Sequence, residues 1–239
     1  MPAAIAVLEL NRVTAGGLHA VSFAAGPGEV LAVVGPVGSG RSTLARVISG
    51  QQRPVSGRVV LDGVDVTDVA PADRARFGMG TVWSRPRPFG SLTVEQNVAV
   101  VAGTDPACDG SGARDRAREL LERHGLADLA DVPAGRLDAV AAARLEVVRV
   151  LAAPRRMIVV DELPAVLAAA ERNELTAALC ATAALGGAVV WLDSPARVRV
   201  PATRVVLLLA GRVVAEGPAA EVLAAPEFRR LRAQETPDR

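Results

Sequence analysis

EVLAVVGPVGSGRST, residues Glu29 to Thr43, is the stretch that decides the fold class. Val30, Leu31, Ala32, Val33 and Val34 form an uncharged run suited to a buried strand, and Gly35, Gly38 and Gly40 break it. The following run, Ser42-Thr43-Leu44-Ala45-Arg46-Val47-Ile48, is compatible with a helix. Strand, glycine loop and helix in that order make a phosphate-binding loop. Glycines let successive N–H groups turn inward at phosphate oxygens, and the helix N-terminus adds about half a positive charge at the same place. The candidate cradle is therefore Gly35, Pro36, Val37, Gly38, Ser39, Gly40, Arg41, Ser42 and Thr43. Ser42 is placed to put its hydroxyl on a magnesium ion bridging the distal phosphates.

Arg41 stands where such loops carry lysine. Lysine is a slim point charge on a flexible stem, whereas arginine is a wide planar fork suited to bidentate contacts. The chain contains no lysine, so all 27 of its basic residues are arginine, and compositional drift accounts for the exchange as readily as selection at this position. Losing or misplacing a charge-assisted hydrogen bond costs roughly 1.5–3 kcal/mol, about ten- to a hundredfold in affinity. Nucleotide binding is expected to survive in weakened form.

The second chemical signal is MIVVDE, Met157 to Glu162, an apolar strand whose end presents two carboxylates. Open α/β sheets bind ligands beyond the carboxyl ends of their strands. Asp161 is the candidate holder of hydrated magnesium, and Glu162 the candidate that orients or deprotonates an attacking water.

Composition bounds the rest. A chain of 239 residues that is 50% hydrophobic can build a sizeable core, and a formal net charge of +1 gives no general pull toward nucleic acid or an anionic membrane. Cys108 and Cys180 lack metal-like spacing and fit a reducing cytoplasm. The start, MPAAIAVLELNRV, reads as a first strand and not as a signal peptide. The long uncharged stretch Leu175 to Leu192 is divided by Gly186-Gly187 into a helix end and a strand, which argues against a membrane span. Strands are expected at Ile5–Leu10, Ala20–Ala24 and Gly57–Leu61, the last ending in an Asp62-Gly63 hairpin turn. Thr104 to Gly112 reads as a Gly/Asp/Pro-rich loop, and Ala113 to His124 as a charged helix with Ala117, Leu120 and Leu121 inward. A helix over Ala139–Ala152, the strand Met157–Val160 and a closing hairpin at Ala210-Gly211 complete the pattern.

With both signals in place, the chain resembles the nucleotide-binding subunits of ATP-binding cassette (ABC) transporters, and within them the ATPases of branched-chain amino acid importers. The resemblance runs from Ile5 to about Arg230. It is carried by GPVGSGRST, PVSGRVVLDGVDV, RFGMGTVW followed by RPFGSLTVEQNV, RLEVVRVLAAPRRMIVVDE, and GRVVAEGPAAEVLAAPEF. It implies an α/β fold: a P-loop NTPase core of the ABC ATPase type, with an N-terminal antiparallel β region and a helical subdomain. Residues 1–83 and 153–230 would form the core, and 84–152 the helical subdomain. It also implies ATP and Mg2+ as cofactors, and a head-to-tail dimer with a second ABC ATPase subunit, identical or related, sandwiching two nucleotides. Integral membrane permease subunits would be the partners, with no nucleic acid, and the chain would sit on the inner face of the cell membrane. Ser84 to Val98 would face the permease, with Arg85, Arg87 and Phe89 as candidate contacts, unless it is a solvated Pro-rich loop.

The departures fall on chemistry. By the resemblance, Ser84 stands where a glutamine reaches magnesium, and LDAVA, Leu137 to Ala141, stands for the signature LSGGQ. Ala168 replaces an interface aspartate, and Ser194 the switch histidine. Asp138 would bring negative charge near a partner's phosphate. No aromatic residue stands near Thr14-Ala15-Gly16-Gly17 to stack on adenine, and His19 and His124 are expected to be ordinary surface or loop histidines. The expected activity is therefore weak or partner-dependent ATP hydrolysis coupled to import. The alternatives are a catalytically silent regulatory or structural subunit and a soluble P-loop NTPase unconnected with transport.

Overall fold

Hydrophobic alternation sets the first layer. In the computed structural model, which describes residues 5–108 and 110–235, β1 (Leu8–Ala15) and β2 (Leu18–Ala25) pair antiparallel. The all-buried β3 (Val30–Val34) follows and leads into α1 (Arg41–Ile48). β4 (Ser56–Leu61) and β5 (Val64–Asp65) then complete a four-stranded antiparallel sheet of order β2-β1-β4-β5. Their connection is Asp62-Gly63, at φ 44° and 80°, the left-handed pair that a two-residue hairpin turn requires.

After α2 (Pro71–Arg76) come β6 (Met79–Trp83), α3 (Val94–Ala102), α4 (Gly110–Arg123) and α5 (Ala139–Leu151). The chain returns through β7 (Met157–Asp161), α6 (Ala169–Ala184), β8 (Ala188–Asp193), β9 (Arg204–Leu209) and β10 (Arg212–Pro218), and continues as α7 (Ala219–Ala224) and α8 (Pro226–Glu235). The second sheet has the order β10-β9-β3-β8-β7-β6. β3 pairs parallel with β8 and β9, and β7 pairs parallel with β8. β3, β7 and β8 are buried along their whole length, the reason they read as apolar runs without alternation.

Two compact units are distinguishable. One comprises the described parts of 1–81 and 180–239 together with Arg156–Asp161; the other comprises Val82–Arg155 and Glu162–Leu179. The second unit has its own core, in which Val94 and Val98 of α3, Ala117, Leu120 and Leu121 of α4, and Leu145 and Val148 of α5 are buried together. Within it, the loop reading of Ser84 to Val98 holds only in part. Thr93 and Gln96 form a reciprocal capping box that starts α3 at Val94, a Thr-x-x-Gln signal present in the sequence. The expectation for His124 is also corrected: it lies in the turn after α4 but is buried, and its Nδ1 is 3.0 Å from Glu174 Oε1. Cys108 and Cys180 are unbridged, and burial pushes the Cys180 thiol up to about 11, a value that leaves it unreactive.

Candidate functional site

β3 delivers the glycine loop at its carboxyl end. Gly35 donates its N–H to the Asp193 carbonyl at 3.2 Å, which ties the loop to the end of the neighbouring β8. A Cβ at Gly35 would meet the Leu208 carbonyl oxygen at 2.2 Å and Ser39 Oγ at 2.5 Å, so no other residue fits there. Gly40, at φ 105°, is the N-cap of α1, and no side chain caps this helix. There is no acidic residue in its first turn either. No side-chain cap and no first-turn carboxylate of the helix therefore compete with an anion for the positive end of the α1 dipole. Pro36, Val37, Gly38, Ser39, Gly40, Arg41, Ser42 and Thr43 line a concavity of about 290 Å³ together with Gly16 and Gly17. Arg41 is drawn in, with 8% of its surface exposed.

The structure brings Ser42 and Asp161 together. Ser42 Oγ donates to Asp161 Oδ1 at 3.2 Å across 119 residues of sequence, because β7 and α1 lie side by side in the same unit. A hydroxyl and a carboxylate in that relation are two ligands for a hard cation whose remaining positions go to water and phosphate oxygens. Among the described residues no group of three or more His, Cys, Asp or Glu side chains could hold a metal by itself. The Ser42 and Asp161 oxygens fit a magnesium ion, which takes oxygen ligands and keeps several of its waters. Ser39 Oγ is buried without a hydrogen-bond partner, a donor that a phosphate oxygen could satisfy. Glu162 follows β7 directly and adopts φ 58°, a left-handed conformation that a non-glycine residue holds only at a cost.

The C-terminal end of α1 is held by a residue that sequence reasoning misses. Arg74 of α2 is 1% exposed, and its guanidinium donates to the carbonyls of Val47 (2.8 Å), Ile48 (2.6 Å), Thr67 (3.0 Å) and Val69 (3.1 Å). Burial lowers its pKa, countered by the charges of Asp65 and Asp68. Gly50 leaves the room: a Cβ there would lie 2.8 Å from Arg74 Nε. The signal is faint, since a lone arginine in a polar helix reads as a surface charge.

The motif departures have their own geometry. Asp138 is the N-cap of α5 and accepts the Ala141 N–H at 2.8 Å, so its carboxylate already occupies the helix end that a signature loop would offer to phosphate. Ser194 is buried and donates its N–H to Asp193 Oδ1 at 2.8 Å. The segment after β6 is clamped: the buried Glu146 of α5 accepts the N–H groups of Trp83 (3.3 Å) and Arg87 (3.0 Å). Desolvation raises the Glu146 pKa, and those N–H groups and Arg149 pull it back. The Arg87 guanidinium stacks 4.9 Å from the Trp83 ring and that of Arg149 4.8 Å from the Phe89 ring, while Phe89 stays 48% exposed.

Comparisons with known proteins agree with this architecture. The family model for the ABC transporter ATP-binding domain matches residues 18–165. The mycobactin import ATP-binding/permease protein of Mycolicibacterium thermoresistibile is 37% identical over 87% of this chain, which spans 36% of that protein. The thiamine import ATP-binding protein of Cereibacter sphaeroides is 34% identical over 83% of this chain and 85% of its own length. A methionine import ATP-binding protein of Rhodococcus jostii is 35% identical over 87% of this chain and 63% of its own. Among solved structures, an ATP-binding subunit of an ABC transporter superposes with a TM-score of 0.82 over 95% of this chain and 98% of that one, at 20% identity. A nucleotide-free ATP-binding cassette gives 0.78 over 95% and 98%, at 23%.

Proposed function

Since the chain belongs to the ABC transporter family of ATP-binding domains, we propose that it is the ATP-binding subunit of an importer, holding MgATP on its glycine loop and coupling it to permease movement. The observation that carries this reading is the 3.2 Å approach of Ser42 Oγ to Asp161 Oδ1 beside a helix N-terminus that no side chain caps. In it, residues 35–43 cradle the phosphates, Ser42 and Asp161 hold Mg2+, and Glu162 is the base for water. The helical subdomain, residues 84–152, turns toward the permease, with Arg85, Arg87 and Phe89 at the contact. The clamped, partly exposed ring of Phe89 supports that choice. Association with a permease would hold the chain at the inner face of the membrane; no helix among the described residues is long and apolar enough to cross it. Branched-chain amino acids are the solute class suggested by the sequence motifs, and loss of leucine uptake on deletion of the gene would bear it out.

Asp138 favours a second reading, of a subunit that binds nucleotide and is silent in turnover. Its carboxylate caps α5, so a partner's γ-phosphate would have to displace a bonded negative group. Loss of a positioned catalytic group costs ~10²–10⁴ in rate, and groups acting as a unit do not add. Calorimetric titration with MgATP, with Arg41→Ala and Asp161→Ala as controls, is the test. Saturable binding abolished in both variants is expected. No binding by the folded protein at millimolar nucleotide would sink both readings. Turnover on addition of a related ATPase subunit, abolished by Glu162→Gln, decides for the first.

A further inference from the structure

The carboxylate of Glu235 sits on the phosphate loop. α8 is tethered to the core by Phe228, buried against a cluster that includes Ala32 and Val34 of β3, with Leu231 packed on the same cluster. The helix carries its last residue back to the loop that β3 feeds, and there Glu235 Oε1 accepts the N–H of Val37 at 3.2 Å, across 198 residues of sequence. The other oxygen, Oε2, is buried and accepts no hydrogen bond. We propose that Glu235 is a built-in competitor for the nucleotide: its carboxylate takes a loop N–H that a phosphate oxygen would use, so MgATP binds by displacing the end of α8.

The chemistry of this seat carries the inference. A carboxylate oxygen and a phosphate oxygen are anionic acceptors of the same N–H, and the two negative groups cannot share the loop without repulsion. The seat is also a poor one for Glu235. One oxygen has a single long hydrogen bond, and the other is desolvated without compensation, so the seat holds the carboxylate only weakly. Phosphate, with several oxygens for several N–H groups, makes more hydrogen bonds, while the tether through Phe228 keeps the carboxylate in place whenever the loop is free. The apparent nucleotide affinity is then reduced by the fraction of molecules in which Glu235 is seated.

This rests on the nucleotide-site reading above, and the experiment separates the two. MgATP is titrated calorimetrically into the full chain and into Glu235→Gln and Glu235→Ala, with Ser42→Ala as a control for the site. Competition predicts that both Glu235 variants bind MgATP about two- to tenfold more tightly, the equivalent of one hydrogen bond. It also predicts that MgATP speeds backbone hydrogen exchange at residues 231–235 of the unsubstituted chain. Equal or weaker binding by both variants overturns the competition and leaves the nucleotide site standing, as does exchange that MgATP does not alter. Absence of binding to all chains defeats the nucleotide site, and the competition with it.

Discussion

Ser42 shows how much one hydroxyl can carry. Its Oγ reaches Asp161 at 3.2 Å, and in the proposed site both would complete the shell of a magnesium ion. Ser42→Ala removes the hydroxyl and little volume, so the fold should persist. Affinity for ATP without magnesium should then stay near that of the unsubstituted chain, while the gain on adding magnesium should fall about tenfold, as expected when one ligand to a charged group is removed. Titrations with and without the ion check it, and an equal loss in both would place Ser42 on phosphate instead. The identity of both residues is legible in the sequence, because each ends an apolar strand or a glycine loop. Their meeting is not, since 119 positions separate them and only the packing of α1 on β7 closes that distance.

At the scale of the element, α1 is held at both ends by different means. The N-terminus is left open for a ligand, and the C-terminus is closed by Arg74, whose guanidinium meets the carbonyls of Val47 and Ile48. A cation at the negative end of a helix dipole is favourable, and here it also satisfies the Ile48 carbonyl and adds a second bond to that of Val47, which already accepts the Gly50 N–H. Arg74→Met should destabilise the fold by on the order of 3 kcal/mol, since it strands several carbonyls at once. Denaturant midpoints at unchanged m-value measure the loss, and a change under about 0.5 kcal/mol, the range of an ordinary surface substitution, would contradict this account. α3 makes the complementary point. Its Thr93–Gln96 box is a local signal strong enough to be read from sequence, yet the prolines before it favour a loop reading. Asp138 likewise reads as a charge near phosphate and proves also to be the cap of its own helix.

Over the whole molecule, Glu146 links folding to pH. Burial raises its pKa above the ordinary 4.5, only partly offset by the N–H groups of Arg87 and Trp83 and by Arg149. A raised folded value means that the native chain binds more protons than the unfolded one between the two values. Its contribution to stability is therefore complete below pH 4.5 and is lost as pH rises through the folded value. Glu146→Gln keeps an acceptor and removes the titration. Its unfolding free energy, relative to the unsubstituted chain, should rise as pH climbs above 4.5 and level off beyond the folded value. A pH-independent difference would show that the folded and unfolded values coincide, so that burial does not raise the Glu146 pKa. His124 is the other group whose surroundings composition conceals: buried beside Glu174, it belongs to packing between helices and not to a surface.

The sequence by itself determined the fold class, the glycine loop, the acidic strand end and the family, because each is written in short-range order: apolar runs, glycines at fixed spacing, and two-residue turns such as Asp62-Gly63. Tertiary structure alone decided which distant groups meet. Ser42 with Asp161, Arg74 with the end of α1, Glu146 with the segment after β6, and Glu235 with Val37 all join residues whose separation along the chain carries no local pattern. Periodicity encodes which face of an element is buried, but the partner across that face is chosen by the packing of the whole chain.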